Sequence, residues 1–281
     1  MSDRITRRRT LAALGATGIA GLAGCAGGNG GDGTETDGDT TAADTQTSDD
    51  MDGTTTGSTS GASGTVKVGV LQPISGDLQY YGQQALWGFS SGLAYKAGDD
   101  PSVTAETGSQ TVTVGDVDYE LYIRDTQFSA DTAQTLATNL VTDEDVDMLF
   151  GCASSGAATR VSTTVAQQAG VPYMAGPAAS ASLTSGSEAC ADNVFRASEN
   201  TAMDARSGGK YVAQESDVSR VFLFGADYSF GRAVVNNYEQ VLTNEGVEIV
   251  GKRFVPQGYS EWEGLLDNAV EAGAEGIVGG F

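Results

Sequence analysis

Short apolar runs alternate with helix-length amphipathic stretches from Thr65 to the last residue. Val66–Leu71 and Val146–Phe150 are rich in β-branched and other apolar side chains, which is typical of buried strands. The stretch from Ser129 to about Val141 instead repeats apolar residues every three or four positions, which predicts a helix capped by Ser129. This alternation predicts βαβ units, and hence an α/β fold of doubly wound parallel sheets with helices on both faces.

The same pattern predicts bounds for each element. We predict strands at Val66–Leu71, Thr111–Val114, Tyr119–Arg124, Val146–Phe150, Val171–Ala175, Val194–Arg196, Arg220–Gly225, Val247–Arg253 and Gly276–Gly279. We predict helices near Tyr81–Ala97, Ser129–Val141, Gly156–Ala169, Phe230–Asn244 and Ser260–Ala272, and another after Thr201. Thr111–Val114 and Tyr119–Arg124 flank Gly115-Asp116, so these strands are expected to form a hairpin or to lie side by side.

The segments that follow the predicted strands share one composition. They are rich in glycine, small hydroxyl side chains and aromatic residues, and comprise Pro73–Gly82, Gly151–Gly156, Gly176–Ser180, Ala226–Gly231 and Gly279–Phe281. Parallel sheets bind ligands outside the carboxyl ends of their strands. None of these segments offers a nucleophile with its activator or a group of metal ligands. They therefore predict binding of a ligand and no enzymatic reaction.

The charge and the residue composition exclude several classes of function. The chain has 15 Lys+Arg against 37 Asp+Glu, a formal net charge of −22, and no histidine. Such acidity argues against nucleic-acid binding, because phosphates would be repelled. Absence of histidine excludes Ser-His-Asp and Cys-His catalytic arrangements, and no CxxC motif is present, so we expect no metal and no cofactor. The acidic composition resembles that of proteins from extreme halophiles; an ordinary acidic protein is the alternative.

The first part of the sequence looks like a targeting segment. Residues 1–25 include Arg7–Arg9, which resemble a twin-arginine export signal. Leu11–Gly24 is apolar but shorter than the roughly 20 residues that span a bilayer. The stretch ends in Leu22-Ala-Gly-Cys25, which resembles a lipobox with Cys25 as the lipidated residue. An uncleaved short anchor is the alternative, and either interpretation places the remainder outside the cytoplasm.

A tether is predicted between this segment and the globular part. Residues 26–64 contain 10 Gly, 10 Thr and 8 acidic residues, with no basic and no aromatic side chain. Low hydrophobicity combined with charge of one sign predicts a disordered linker. Anchored at Cys25, it would hold the protein on the outer face of the cell membrane.

Several motifs of the globular part resemble one family. Val66-Lys-Val-Gly-Val-Leu-Gln-Pro-Ile-Ser-Gly76 with Tyr81-Gly82 is similar to the opening of the branched-chain amino-acid-binding proteins of ABC transporters. The resemblance continues in order through Asp125-Thr, Leu149-Phe-Gly-Cys-Ala-Ser-Ser155, Gly170-Val-Pro, Gly176-Pro-Ala-Ala-Ser180, Phe195-Arg196 and Asp227-Tyr-Ser-Phe-Gly231. It covers about residues 65–281.

The resemblance implies a type I periplasmic-binding-protein fold, with two α/β lobes joined by a hinge and closing on a small ligand. It implies a first lobe at 65–195, then a hinge and a partial second lobe at 196–281. The second lobe is expected to be incomplete, with the sequence truncated at its C-terminal end, because the pattern supplies only three strands there. The implied partners are ABC permease subunits and a branched-chain amino acid or related small amide or carboxylate.

The resemblance also implies a ligand site. The positions that bind ligand in the family correspond here to Tyr81, Ser154, Ser155, Ala179, Ser180, Phe230 and Phe281. Family members often have tyrosine at the last two positions. From the residues alone, Ser154 and Ser155 could also cap the helix that follows them, and Phe230 could belong to the core.

Two further hypotheses come from the cysteines and from competing functions. Cys152 and Cys190 are the only cysteines of the exported part, so we expect them to form a disulfide there. A sensor subunit of the same fold, reporting ligand to a membrane signalling protein, is the first alternative function. A secreted hydrolase with paired carboxylates is the second.

Overall fold

Strands and helices alternate in the computed structural model, which describes residues 63–98, 104–186 and 188–281. The strands are β1 (Gly64–Gln72), β2 (Gly108–Val114), β3 (Val117–Asp125), β4 (Met148–Gly151), β5 (Tyr173–Ala175), β6 (Val194–Arg196), β7 (Arg220–Ala226), β8 (Glu248–Val255) and β9 (Gly276–Gly280). The helices are α1 (Gln79–Ala97), α2 (Ala130–Thr142), α3 (Ser155–Val161), α4 (Gln167–Ala169), α5 (Thr201–Asp204), α6 (Lys210–Glu215), α7 (Ser229–Asn244) and α8 (Glu263–Glu271).

The larger sheet has six strands in the order β2-β3-β1-β4-β5-β6. Its pairings are parallel except for β2 with β3, which form the antiparallel hairpin that the sequence predicts. The last residues of β1 are buried, because helices cover both faces of the sheet there. On one face Leu71 and Leu149 pack with α2 and α3, and on the other Val70 and Leu121 pack with α1.

The smaller sheet has three parallel strands in the order β8-β7-β9. β7 lies in the middle and is almost entirely buried. Val235 and Leu242 of α7 pack on one face of this sheet, whereas Ala269 and Trp262 of the α8 region pack on the other. The two sheets confirm the predicted α/β class, and the predicted lobe boundaries stay a prediction.

Two helical regions differ from the predicted bounds. α3 begins at Ser155 and not at Gly156, because the Ser154 side chain accepts a hydrogen bond from the Ala157 backbone N–H and so caps the helix. A π-helical turn at Ser162–Ala166 separates α3 from α4. The region after Thr201 is also divided by a π-helical turn, Ala205–Gly209, whose glycines allow close contact with α7.

Candidate functional site

The carboxyl ends of β1, β4 and β5 lie side by side in the larger sheet. The loops that follow these strands therefore share one edge, which faces the start of α7 from the smaller sheet. α3 and α7 are in contact, and a Cβ built on Gly156 would lie 3.5 Å from the Ser229 Oγ. We refer to the space between the loops after β1, β4 and β5 and the start of α7 as the cleft.

Three serines lie in the loops that follow β4 and β5 or at their ends, and we call Ser154, Ser155 and Ser180 the hydroxyl edge. All three are buried, with 5%, 1% and 2% of their surface exposed. The Ser155 Oγ accepts a hydrogen bond of 3.1 Å from the Ser180 backbone N–H. The Ser180 Oγ lies 2.9 Å from the Ser182 Oγ. The hydroxyl edge is therefore held by hydrogen bonds within the protein.

The loop after β5 is held by an arginine from β6. Arg196 donates hydrogen bonds of 2.6 Å to both the Ala178 and the Ser180 carbonyl oxygens, and a longer one to the Thr184 hydroxyl. Burial of the guanidinium lowers its pKa from the ordinary value. A buried glutamine at the end of β1, Gln72, adds a hydrogen bond of 2.9 Å to the Gly176 carbonyl oxygen. These contacts fix the backbone that carries Ser180.

The loop after β1 is held by a carboxylate at the end of β3. Asp125 accepts hydrogen bonds from the backbone N–H groups of Ile74, Ser75 and Gln127, and from the Ser75 hydroxyl. Burial alone would raise the pKa of Asp125, but these hydrogen bonds outweigh it and the pKa lies below the ordinary value. Asp125 is thus ionised at neutral pH and serves the structure of the loop.

Four aromatic side chains come from the segments that follow β1, β3 and β7, and we call Tyr81, Phe128, Tyr228 and Phe230 the aromatic cluster. The Tyr228 ring centroid lies 5.8 Å from that of Phe128 and 6.1 Å from that of Phe230. Burial, followed by the neighbouring phenols of Tyr81 and Tyr80, raises the pKa of Tyr228 to about 12. Tyr228 therefore keeps its proton at neutral pH and can donate a hydrogen bond.

An apolar cavity of about 570 Å³ adjoins the carboxyl end of the smaller sheet. Its lining contains no charged side chain and consists of Leu78, Phe224, Ala226, Val255, Pro256, Gln257, Gly258, Tyr259, Trp262, Leu266, Ile277, Gly279 and Phe281. The Phe281 ring lies 4.8 Å from the Trp262 ring, in an edge-to-face arrangement. Leu78 comes from the loop after β1, so the cavity reaches the larger-sheet side.

The structure places most of the predicted site residues in two groups. Ser155 and Ser180 are hydrogen-bonded, and the neighbouring Ala179 carbonyl oxygen accepts from the Thr201 backbone N–H. Tyr81 and Phe230 both lie near Tyr228. Ser154 uses its hydroxyl to cap α3, as the structural alternative predicted.

Phe281 is separate from the aromatic cluster in its ring contacts, since it packs on Trp262 in the cavity. The sequence prediction also missed Tyr228, Phe128 and Trp262. Tyr228 stands in a glycine- and aromatic-rich strand exit and could have been found there. Phe128 and Trp262 follow no such pattern, because only the three-dimensional course of the backbone brings them near the site.

The predicted disulfide between Cys152 and Cys190 is wrong, since both cysteines are free. Cys152 is fully buried, and its thiol receives a hydrogen bond from the Tyr173 hydroxyl. Burial raises the pKa of the Cys152 thiol to about 12, although the Tyr173 hydrogen bond acts in the opposite direction. Cys152 directly follows β4 whereas Cys190 precedes β6, and the packing of these strands did not bring the two sulfurs together. Cys25 lies outside the described residues.

Neither a metal site nor a membrane-spanning helix is found in the described part of the protein. Among residues 63–98, 104–186 and 188–281, no group of three His, Cys, Asp or Glu side chains could hold a metal ion. No helix in those ranges has both the length and the apolar character needed to cross a bilayer.

Comparison with known proteins identifies the family. The sequence profile described as "Periplasmic binding protein" matches residues 65–281. The chain belongs to the periplasmic binding protein family. The resemblance found in the motifs is therefore confirmed at the level of the family. A search of curated proteins gave no match.

Solved periplasmic binding proteins share the fold of this chain. One is a solute-binding protein of an ABC transporter from R. palustris in complex with 4-hydroxybenzoate, with 21% identity and a TM-score of 0.65, covering 78% of this chain and 54% of that one. A leucine binding protein from Thermotoga maritima has 19% identity and a TM-score of 0.62, covering 76% and 55%. A benzoate complex from R. palustris has 22% identity and a TM-score of 0.64, covering 78% and 56%. The sequence thus spans about half the length of these proteins.

Proposed function

We propose that this protein is the solute-binding subunit of an ABC importer and binds a small carboxylate or amide in the cleft. The observation that carries the proposal is the hydroxyl edge at the carboxyl ends of β4 and β5, together with the contact of α3 with α7, whose first turn carries Phe230 of the aromatic cluster. Hydroxyls and N–H groups can bind a carboxylate or amide, while aromatic rings cover the apolar remainder of a ligand. The cleft residues described above include no nucleophile with a base, so binding without reaction is the function that they support.

The ligand class extends from branched-chain amino acids to other small carboxylates and amides. Solved proteins of the same fold are complexes with 4-hydroxybenzoate and benzoate, and one is a leucine binding protein. Within the site, we assign the carboxylate or amide of the ligand to Ser154, Ser155 and Ser180, with the Ala179 backbone. Its apolar part is assigned to Tyr81, Phe230 and Phe281.

The proposed setting of this function lies outside the cell. We assign residues 1–25 to a twin-arginine signal ending at the lipidated Cys25, and residues 26–64 to the predicted linker. This arrangement would hold residues 65–281 near the permease on the outer face of the membrane. Loss of the protein from membranes after Cys25→Ala, detected by fractionation of cells, tests the anchor.

Thermal-shift measurements on the full-length protein test the ligand class. They should be made in molar salt with L-leucine, L-valine, benzoate, 4-hydroxybenzoate and an aliphatic amide. A ligand at 100 times its dissociation constant adds about 2.7 kcal/mol to the free energy of unfolding, which raises the melting temperature by several degrees. Ser162→Ala is the control variant, because this buried serine contacts Ala189 and Gln167 and lies outside the cleft loops. Absence of any shift across the panel would contradict the proposed ligand class.

A further inference from the structure

Thr201 connects the loop that carries Ser180 to the helices of the smaller sheet. This residue is fully buried and begins α5, shortly after β6 has left the larger sheet. Its backbone N–H donates a hydrogen bond of 2.9 Å to the Ala179 carbonyl oxygen. Its Oγ1 accepts one of 3.1 Å from the Ala181 backbone N–H. Thr201 thus binds the loop on both sides of Ser180.

The same hydroxyl oxygen of Thr201 is bound by a side chain of α7. The Asn237 Nδ2 donates a hydrogen bond of 3.0 Å to the Thr201 Oγ1. It also donates one of 2.7 Å to the Ala233 carbonyl oxygen within α7, which orients the amide. α7 packs on β7 and β9, so Asn237 belongs to the smaller-sheet part of the molecule. A hydroxyl oxygen has two lone pairs, and both are used here by donors from opposite sides.

Ser180 has little freedom between these two contacts. Its N–H donates to the Ser155 Oγ, and its carbonyl oxygen accepts from Arg196. A shift of Ala179 or Ala181 would move Ser180 and lengthen its hydrogen bond to Ser155. The position of the hydroxyl edge therefore depends on Thr201, and through Thr201 on α7.

We propose that Thr201 is a positioning residue, which fixes the Ser180 loop to α7 and so couples the hydroxyl edge to the smaller sheet. An effect of Thr201 on ligand binding rests on the function proposed above. The coupling between the Ser180 loop and α7 is a property of the protein without ligand. A buried threonine that only stabilises the core would lower the free energy of unfolding when it is replaced. It would not change the behaviour of Ser180 in the folded state.

The first test measures amide hydrogen exchange at Ser180 in the full-length protein without ligand. Thr201→Val keeps the shape of the side chain but removes the hydroxyl, whereas Thr201→Ser keeps the acceptor. We expect Thr201→Val to speed exchange of the Ser180 N–H at least tenfold, although its acceptor, Ser155, is unchanged. Thr201→Ser should restore exchange to within about threefold of wild type. Ser162→Ala, which removes another buried hydroxyl with two hydrogen bonds, should leave Ser180 unchanged.

A second variant covers the case in which Thr201→Val does not fold. Asn237→Leu removes only the contact from α7. We expect it to speed exchange of the Ser180 N–H as well, but by less than Thr201→Val does. Unchanged exchange at Ser180 in the folded Thr201→Val protein, or an equal increase in Ser162→Ala, would overturn the proposal. If Thr201→Val does not fold, unchanged exchange in Asn237→Leu would overturn it equally.

Measurements of probe affinity distinguish the coupling through Thr201 from the proposed ligand-binding function. With L-leucine and 4-hydroxybenzoate as probes, the affinity of a probe that binds wild type should fall about tenfold in Thr201→Val and recover in Thr201→Ser. It should be unchanged in Ser162→Ala. Faster Ser180 exchange with unchanged probe affinity would refute a role of Thr201 in binding. If neither probe binds wild type, the exchange result still decides the coupling, and the ligand class alone is contradicted.

Discussion

The hydroxyl edge and the aromatic cluster are held in different ways. The hydroxyl edge is buried and bonded through backbone and side-chain groups, and the backbone around it is bound by Arg196 and Thr201. The aromatic cluster is held by ring contacts, and Tyr81 keeps 43% of its surface exposed. Hydrogen-bonded loops have defined positions, whereas an exposed ring such as that of Tyr81 can adjust to ligands of different shape. We therefore expect the hydroxyl edge to bind a group that different ligands share, and the aromatic cluster to accommodate differences in their shape.

The largest loss of stability is expected at Gly151, whose backbone precedes the serines of the hydroxyl edge. Gly151, at the end of β4, has a φ of +132°, and a Cβ there would overlap the Leu71 carbonyl group. Gly151→Ala should lower the free energy of unfolding by about 3 kcal/mol or more, because strain and overpacking add. Denaturant unfolding monitored by circular dichroism measures this change.

Gly176→Ala is the matched control, since it is another strand-end glycine of the larger sheet with no atom within 4 Å of an added Cβ. It should change the free energy of unfolding by less than about 1 kcal/mol. Equal losses in the two variants would show that backbone conformation at Gly151 is not what supports the edge.

The next effect separates the two serines at the start of α3. Ser155→Ala leaves the buried Ser180 N–H without its acceptor and should lower the free energy of unfolding by about 1–3 kcal/mol. It should also weaken probe binding about ten- to a hundredfold, if a charge-assisted hydrogen bond to the ligand is lost. Ser154→Ala should remove the cap of α3, at a cost of about 1 kcal/mol, together with its own proposed contact to the ligand. Calorimetric titration that finds unchanged affinity in Ser155→Ala would remove this serine from the site.

Ionisation of Tyr228 in the aromatic cluster should lower the stability of the protein in alkaline solution. Because burial raises the pKa of Tyr228 from 10.0 to about 12, the stability gained from its neutral phenol is complete below pH 10. That stability is lost as the pH rises towards 12. Tyr228→Phe has no proton to lose, so its free energy of unfolding should fall less over this interval than that of wild type. Phe230→Leu, which removes no titratable group, should keep the wild-type slope, and equal slopes in all three proteins would contradict the raised pKa.

The smallest effect is expected at Phe281. Its ring is 54% exposed and packs on Trp262, so Phe281→Ala should cost less than about 1 kcal/mol of the free energy of unfolding. Phe224→Ala, in the buried interior of the same cavity, should cost about 3–5 kcal/mol. Probe affinity in Phe281→Ala should fall by no more than about threefold, because an exposed ring covers little of the ligand. Unchanged affinity would remove this residue from the proposed site.

Much of the larger sheet could be predicted from the sequence. β1, the β2–β3 hairpin and α2 follow from local rules, because apolar periodicity, a Gly-Asp turn and the Ser129 cap act over a few residues. The closeness of Ser155 and Ser180 could be predicted as well, since strand order brings the loops after β4 and β5 together, whereas their role in binding stays a prediction. Element boundaries around Gly156 and Thr201 were less accurate, because a cap and two π-helical turns altered them.

The sequence by itself determined the class of fold, the family, and the two strand exits that carry Ser155 and Ser180. Only the tertiary structure decided that Cys152 lies against Tyr173 and not Cys190, that Phe281 packs in a cavity with Trp262, and that Thr201 joins a loop to α7. The physical reason is range. Periodicity, capping and turn formation act between near neighbours in the sequence, whereas each of these contacts depends on how distant segments pack.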